Sequence, residues 1–416
     1  MTGVRLLLAA CILALMVGTV ACGGPKGCSS AIPGATGGTS GGTGGGSSPP
    51  AGSCVQTSTG GTAAVGIYLM VADAGGIQGE FADTSTKKMS ITPNFGTVSV
   101  DTNVPGDWVV MPGQKFMYSA YTSTGEIWAW SVSGAGLLTA LSPPKIQTSF
   151  LQNDIDAGMQ AMITNPAGTL LFVVDQTAAS PAIQAYQIGT AGLLTGPTTT
   201  TLPSGFMPFN LAIDGQGKYL YVSNTTGGVG GISNAVMGYS IGGSGALTAL
   251  PNNPIASSVQ QMQGEATGKF MFGTSGGALF EQVLYVAPIQ SDGEISPATT
   301  PVLGVPVEVT VQPNSGGTLV YAVDFPTNSS NSGAVEGFTF DASTGTLKEM
   351  ANSPFTKVLG AHGEFDPTGQ FFLLSSSTSA AAVALYVFDT NAFPDLSTQM
   401  ASTGWAAGAW APEDSH

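Results

Sequence analysis

Glu308, His362 and Glu364 are the residues of this chain whose types suit proton transfer. An imidazole can take up or release a proton near neutral pH, and a neighbouring carboxylate can orient it or share that proton. His362 is one of two histidines, and the other, His416, ends the chain. Asp107, Asn210, Gln261 and Gln263 add oxygen and amide groups at matched places, as a ligand-binding rim would need. The expected roles are catalytic for His362, Glu364 and Glu308, and ligand-binding for Asp107, Asn210, Gln261 and Gln263. We expect no cofactor. One variant would set a divalent metal on Glu308, His362, Asp107 and Asn210, an oxygen-rich set suited to a hard cation.

A repeat is what makes these places match. One seven-residue phrase recurs: GIYLMVA at 66, QKFMYSA at 114, GTLLFVV at 168, GKYLYVS at 217, GKFMFGT at 268, GTLVYAV at 317 and GQFFLLS at 369. Each opens at a turn residue and runs on as an aromatic and β-branched strand. A second strand phrase follows each, as in IWAWSVS, VMGYSIG and VEGFTFD; Pro288 in the fifth copy predicts a bulge or an early strand end. A short strand precedes six of the first phrases: WVVMP at 108, MITNP at 162, LAIDG at 211, MQGEA at 262, VTVQP at 309 and GEFDP at 363. The residue before each of these occupies one equivalent position, held by Asp107, Ala161, Asn210, Gln261, Glu308 and His362. Ala407 precedes a seventh strand, GAWAP, at the C-terminus.

A unit of about 50 residues with four strands, repeated seven times, predicts an all-β fold, a seven-bladed β-propeller. GAWAP is expected to close the ring by joining the blade begun at residue 66. The equivalent residues would then line a channel mouth. A wet channel calls for polar residues in any case, so the rim alone does not establish a function. Composition agrees with many short strands: Gly and Pro number 59 and 26 of 416 residues, and 43% are hydrophobic. Formal charge is −15 and Arg5 is the only arginine, which excludes nucleic-acid binding.

The repeated phrases resemble those of lactonase-type seven-bladed propellers, the 6-phosphogluconolactonase-like and YVTN-repeat group. Pro166-Ala167-Gly168 leading to Leu171-Phe172-Val173 carries the likeness, as does Gly217-Lys218-Tyr219-Leu220-Tyr221-Val222. Tyr239, Ile241 and Leu247 continue the pattern. The resemblance implies the propeller fold and offers lactone hydrolysis as an activity. An anionic lactone, however, needs cationic groups to bind it and stabilise the oxyanion. Beyond Arg5 the chain has only lysines, of which Lys115, Lys218 and Lys269 share one turn position.

The N-terminus reads as a targeting segment over residues 1–21. A positive start is followed by the apolar run Leu6 to Val20, shorter than the roughly 20 residues of a membrane span. Thr19-Val20-Ala21-Cys22 resembles a bacterial lipobox, which implies a lipid on Cys22 and an envelope lipoprotein, placed in the outer membrane. Residues 22–62 are Gly- and Ser-rich, a tether that averages about 35 Å in reach. Cys28 and Cys54 would pair as a disulfide there. The propeller would occupy 63–416. The expected function is a ligand- or protein-binding module, partnered by the membrane through its anchor and by a small molecule or an envelope protein; the alternative is a lactone hydrolase.

Overall fold

The structure is a computed structural model that describes residues 26–29, 66–73, 76–83, 88–91, 107–112, 115–121, 124–133, 138–148, 161–175, 181–224, 235–256, 258–275, 282–302, 304, 306–313, 319–324, 334–355, 361–365, 369, 371–379, 382–390, 399–406 and 409–410. All its regular elements are strands, in antiparallel sheets of four or five. This is an all-β architecture consistent with a β-propeller. The second sheet is representative: Asp107–Val110, Phe116–Tyr121, Glu126–Val132 and Leu138–Gln147 lie side by side in chain order. Each recurring phrase forms the second strand of its sheet, such as Leu170–Asp175, Tyr219–Asn224 and Leu319–Asp324. The glycine opening the phrase takes a positive φ, 65° at Gly168 and 68° at Gly217, a conformation that other residues adopt only with strain. In the fifth sheet Val283–Pro288 stops at its proline, as expected.

Second and third strands are apolar on both faces because each sheet is covered on both sides. Val320, Ala322 and Phe338 of the sixth sheet pack on Phe272, Leu284 and Val286 of the fifth. From the opposite face, Tyr321, Val323 and Val335 meet Phe365, Phe372 and Leu374 of the seventh. Each such side chain contributes about 1.5–3 kcal/mol on burial. First strands lie against one another in succession: Asp107–Val110, Met162–Thr164, Pro208–Ile213, Gln261–Gly264, Pro306–Val311 and Ala361–Phe365.

The chain ends depart from expectation. Ala409–Trp410 does not join the strand at residue 66. It pairs with Gln399–Ala406 of its own sheet, Trp405 opposite Trp410 and Ala406 opposite Ala409. Two residues separate the paired positions, the length of the shortest hairpin connection, and a local partner costs far less loop-closure entropy than a distant one. The edge of Gly66–Asp73 is covered instead by Lys26–Ser29, with Cys28 opposite Tyr68. That edge has unpaired backbone groups, and any extended segment within reach can pair with them. Gln399–Ala406 also approaches Lys88–Ile91 of the first sheet. Cys22, Cys54 and Ala407 lie outside the described residues.

Candidate functional site

The equivalent position does recur on neighbouring strands, and its side chains reach from one sheet to the next. Asp107 Oδ2 accepts the backbone N–H of Met162 at 2.8 Å, while Oδ1 accepts that of Trp108 at 2.7 Å. Asn210 Oδ1 accepts Met262 N–H at 3.0 Å. Glu308 Oε2 accepts Gly363 N–H at 2.9 Å. In each of these three cases the donor is one residue past the equivalent position in the following sheet. Gln263 repeats the bond two residues further along, with Oε1 accepting Val311 N–H at 2.8 Å.

A physical requirement accounts for the pattern. A first strand pairs with the second along only one edge, so N–H groups on the other edge need partners. An acceptor side chain on the preceding sheet supplies one. Hydrogen bonds that involve a charged group contribute about 1.5–3 kcal/mol net, roughly twice neutral ones. Asp107 and Asn210 are 5% and 2% exposed, and Glu308, Gln261, Gln263 and Glu364 are half-buried. Ala161 has no side-chain acceptor to offer. Beside it, Asn210 N–H donates to Ser223 Oγ at 3.2 Å, and that hydroxyl donates to the Gln260 carbonyl.

His362 lies in Ala361–Phe365, opposite Ser375, one residue before the Gly363 N–H that Glu308 holds. Its side chain is outside what the structure describes. His362, Glu308 and Glu364 thus belong to two adjacent strands, as the sequence implies. Asp107 and Asn210 belong to the second and fourth sheets, away from Glu308 in the sixth. Among the described residues, no three of His, Cys, Asp and Glu come together as a metal-holding group.

Lys115, Lys218 and Lys269 share one place, as expected, and all are exposed. They sit on the turn that leaves the far end of the first strand. That turn is built by Asp214 and Glu265: Asp214 Oδ1 accepts the N–H groups of Lys218 and Tyr219, and Glu265 Oε1 those of Lys269 and Phe270. The lysines therefore stand at the opposite end of the strand from Asn210 and its equivalents. Of the tryptophans, Trp128 and Trp130 stack at 5.7 Å between ring centres, with Lys145 Nζ 5.3 Å from the Trp128 ring. Trp130 donates to Ser119 Oγ and is buried, which makes it part of the packing.

Sequence reasoning missed one cluster. Asp324 and Glu336, on adjacent strands of the sixth sheet, are 5% and 1% exposed and hydrogen-bonded to each other. Burial, then the Glu336 charge and the bond to it, push the Asp324 carboxyl from 3.8 up to about 8. Only the strand register brings the two together.

No known protein family matches the chain, and no curated protein is similar to it. Solved structures are similar in fold. The periplasmic gluconolactonase of Pseudomonas aeruginosa aligns with a TM-score of 0.61 at 14% identity, over 82% of this chain and 97% of that one. A protein of Bacteroides uniformis, provisionally titled a 6-phosphogluconolactonase, aligns at 0.56 and 13% identity, over 79% and 95%. A protein of unknown function from Desulfotomaculum acetoxidans aligns at 0.53 and 14%, over 82% and 92%. At these identities the likeness is one of fold.

Proposed function

We propose that the chain is an exported, lipid-anchored envelope protein, a closed seven-bladed propeller that binds a ligand or protein partner at the channel mouth. The approach of Gln399–Ala406 to Lys88–Ile91 supports a closed ring, because it sets the last sheet beside the first. Catalysis at this rim is disfavoured by one observation: oxygens of Asp107, Asn210, Glu308 and Gln263 are engaged by backbone N–H groups of neighbouring sheets. A carboxylate holding the scaffold together is poorly placed to give and take protons. The lysines that could neutralise an anionic lactone sit at the other end of the first strands.

Lactone hydrolysis is the second reading, favoured by the fold shared with the Pseudomonas gluconolactonase. One experiment separates the two. The purified domain is offered neutral and phosphorylated lactones, with and without a chelator, beside His362→Ala and Glu308→Gln. Binding predicts no turnover above background. Turnover that falls by roughly 10²–10⁴ in His362→Ala would establish the hydrolase instead, and chelator sensitivity would point to a metal. A photo-crosslinker at position 362 should capture a partner in cells where one at position 218 does not. Lipidation is checked by fatty-acid labelling, which Cys22→Ser should abolish.

A further inference from the structure

The Asp324–Glu336 pair has a counterpart that differs in one residue. In the third sheet Asp175 ends the second strand and Gln184 lies opposite Val173, two residues before it. In the sixth, Asp324 ends the second strand and Glu336 lies opposite Ala322, again two residues before it. The first sheet repeats the placement with Asp73 and Gln78, which lies opposite Val71. By register, the third sheet thus sets an acid near an amide, and the sixth an acid near an acid. An amide has N–H donors at every pH, whereas a carboxyl group donates only while it holds a proton.

The acid pair lies on an apolar face. It shares its face with Val320, Ala322 and Phe338, against Phe272, Leu284 and Val286 of the fifth sheet. Gly304 N–H donates to Glu336 Oε1. A Cβ at Gly304 would run into the Asp324 carboxyl, so the backbone is closed down on the pair. Asp324 Oδ1 has no hydrogen-bond partner among the described residues. Other titratable groups stand on the strands packed nearby. Glu308 bonds Gly363 N–H, and His362 and Glu364 belong to the strand on the opposite face. Lys348 and Glu349 pair opposite Thr339 and Phe338, and Asp341 is exposed at the far end of its strand. Among the facing strands of the fifth sheet only Tyr285 titrates, and it packs toward the fourth.

We propose that Asp324 and Glu336 form a proton-operated latch, which holds Gly304 and the start of Pro306–Val311 against the sheet while one proton is shared between them. Pro306 pairs with Asp324, and Glu308 follows with Val323. Loss of the proton leaves two buried anions in contact and loosens the segment that carries Glu308 to its bond with Gly363. A carboxyl group that stays protonated to about pH 8 in the fold, but only to 3.8 otherwise, stabilises fully below 3.8. That stability is lost as pH rises through about 8.

Melting temperature and the exchange protection of the Gly363 amide, corrected for intrinsic rates, would be measured from pH 6 to pH 9. Wild type should lose on the order of 5 °C across this range, and Gly363 its protection. Glu336→Gln, which copies the third sheet, should flatten both curves; Asp324→Asn does the same should that variant fail to fold. Gln184→Glu should steepen the pH dependence by building a second acid pair. Wild-type curves that are flat, or equally steep in Glu336→Gln and Asp324→Asn, would overturn the latch.

Discussion

Asp107 and Asp324 are each 5% exposed, yet their surroundings differ in the donors they offer a carboxyl group. Asp107 sits at the junction of two first strands, where two backbone N–H groups point at it. Asp324 sits at the end of a second strand, where another acid, Glu336, lies beside it. Equal burial therefore does not give equal chemistry; the supply of donors does. Strand edges have donors to spare and make a carboxylate a fastener. Strands paired on both sides have spent theirs on the ladder, and an acid placed there must keep its proton or find a partner.

The contrast can be broken by removing acceptors in turn. Asp107→Ala strands two N–H groups, one of them at a buried junction, and should cost about 3 kcal/mol in a urea titration. A loss below about 1 kcal/mol would mean that Asp107 fastens nothing. Glu308→Ala removes one charge-assisted bond at a half-buried place and should cost about 1.5 kcal/mol by the same titration. Gln263→Ala removes a neutral acceptor, and calorimetry should register about 1 kcal/mol. Lys145→Ala sharpens the lower bound. Its ion pair with Glu126 lies on outer strands with the lysine 45% exposed, so a guanidinium midpoint should move by no more than about 0.5 kcal/mol. Were Lys145→Ala as damaging as Asp107→Ala, strand-edge fastening would lose its special place.

Strand content was legible because each repeat states it locally. Phrases such as GTLLFVV and GTLVYAV carry their own turn glycine and β-branched run, and the structure sets a strand on each. The mostly polar position at the start of the first strands was legible too, since the repeat places it at one equivalent point in successive sheets. Its use was not. A bond from Asp107 to a backbone N–H 55 residues away depends on how two sheets abut, and nothing near Met162 announces it. The acid pair was hidden for a related reason: Asp324 and Glu336 are 12 residues apart in sequence, and only the register lays them diagonally. Ala409–Trp410 misled because a strand phrase says that a segment will pair, not with which edge. Lys26–Ser29 has no strand phrase at all and sits in a stretch read as tether.

The claim that matched side chains fasten neighbouring sheets together is tested most directly by amide exchange at the three named donors. In wild type the amides of Met162, Met262 and Gly363 should all be protected at pH 7. Each should lose protection when its own acceptor is removed, by Asp107→Ala, Asn210→Ala or Glu308→Ala, while the other two stay protected. Amides that exchange freely in wild type, or that keep their protection in all three variants, would contradict the account.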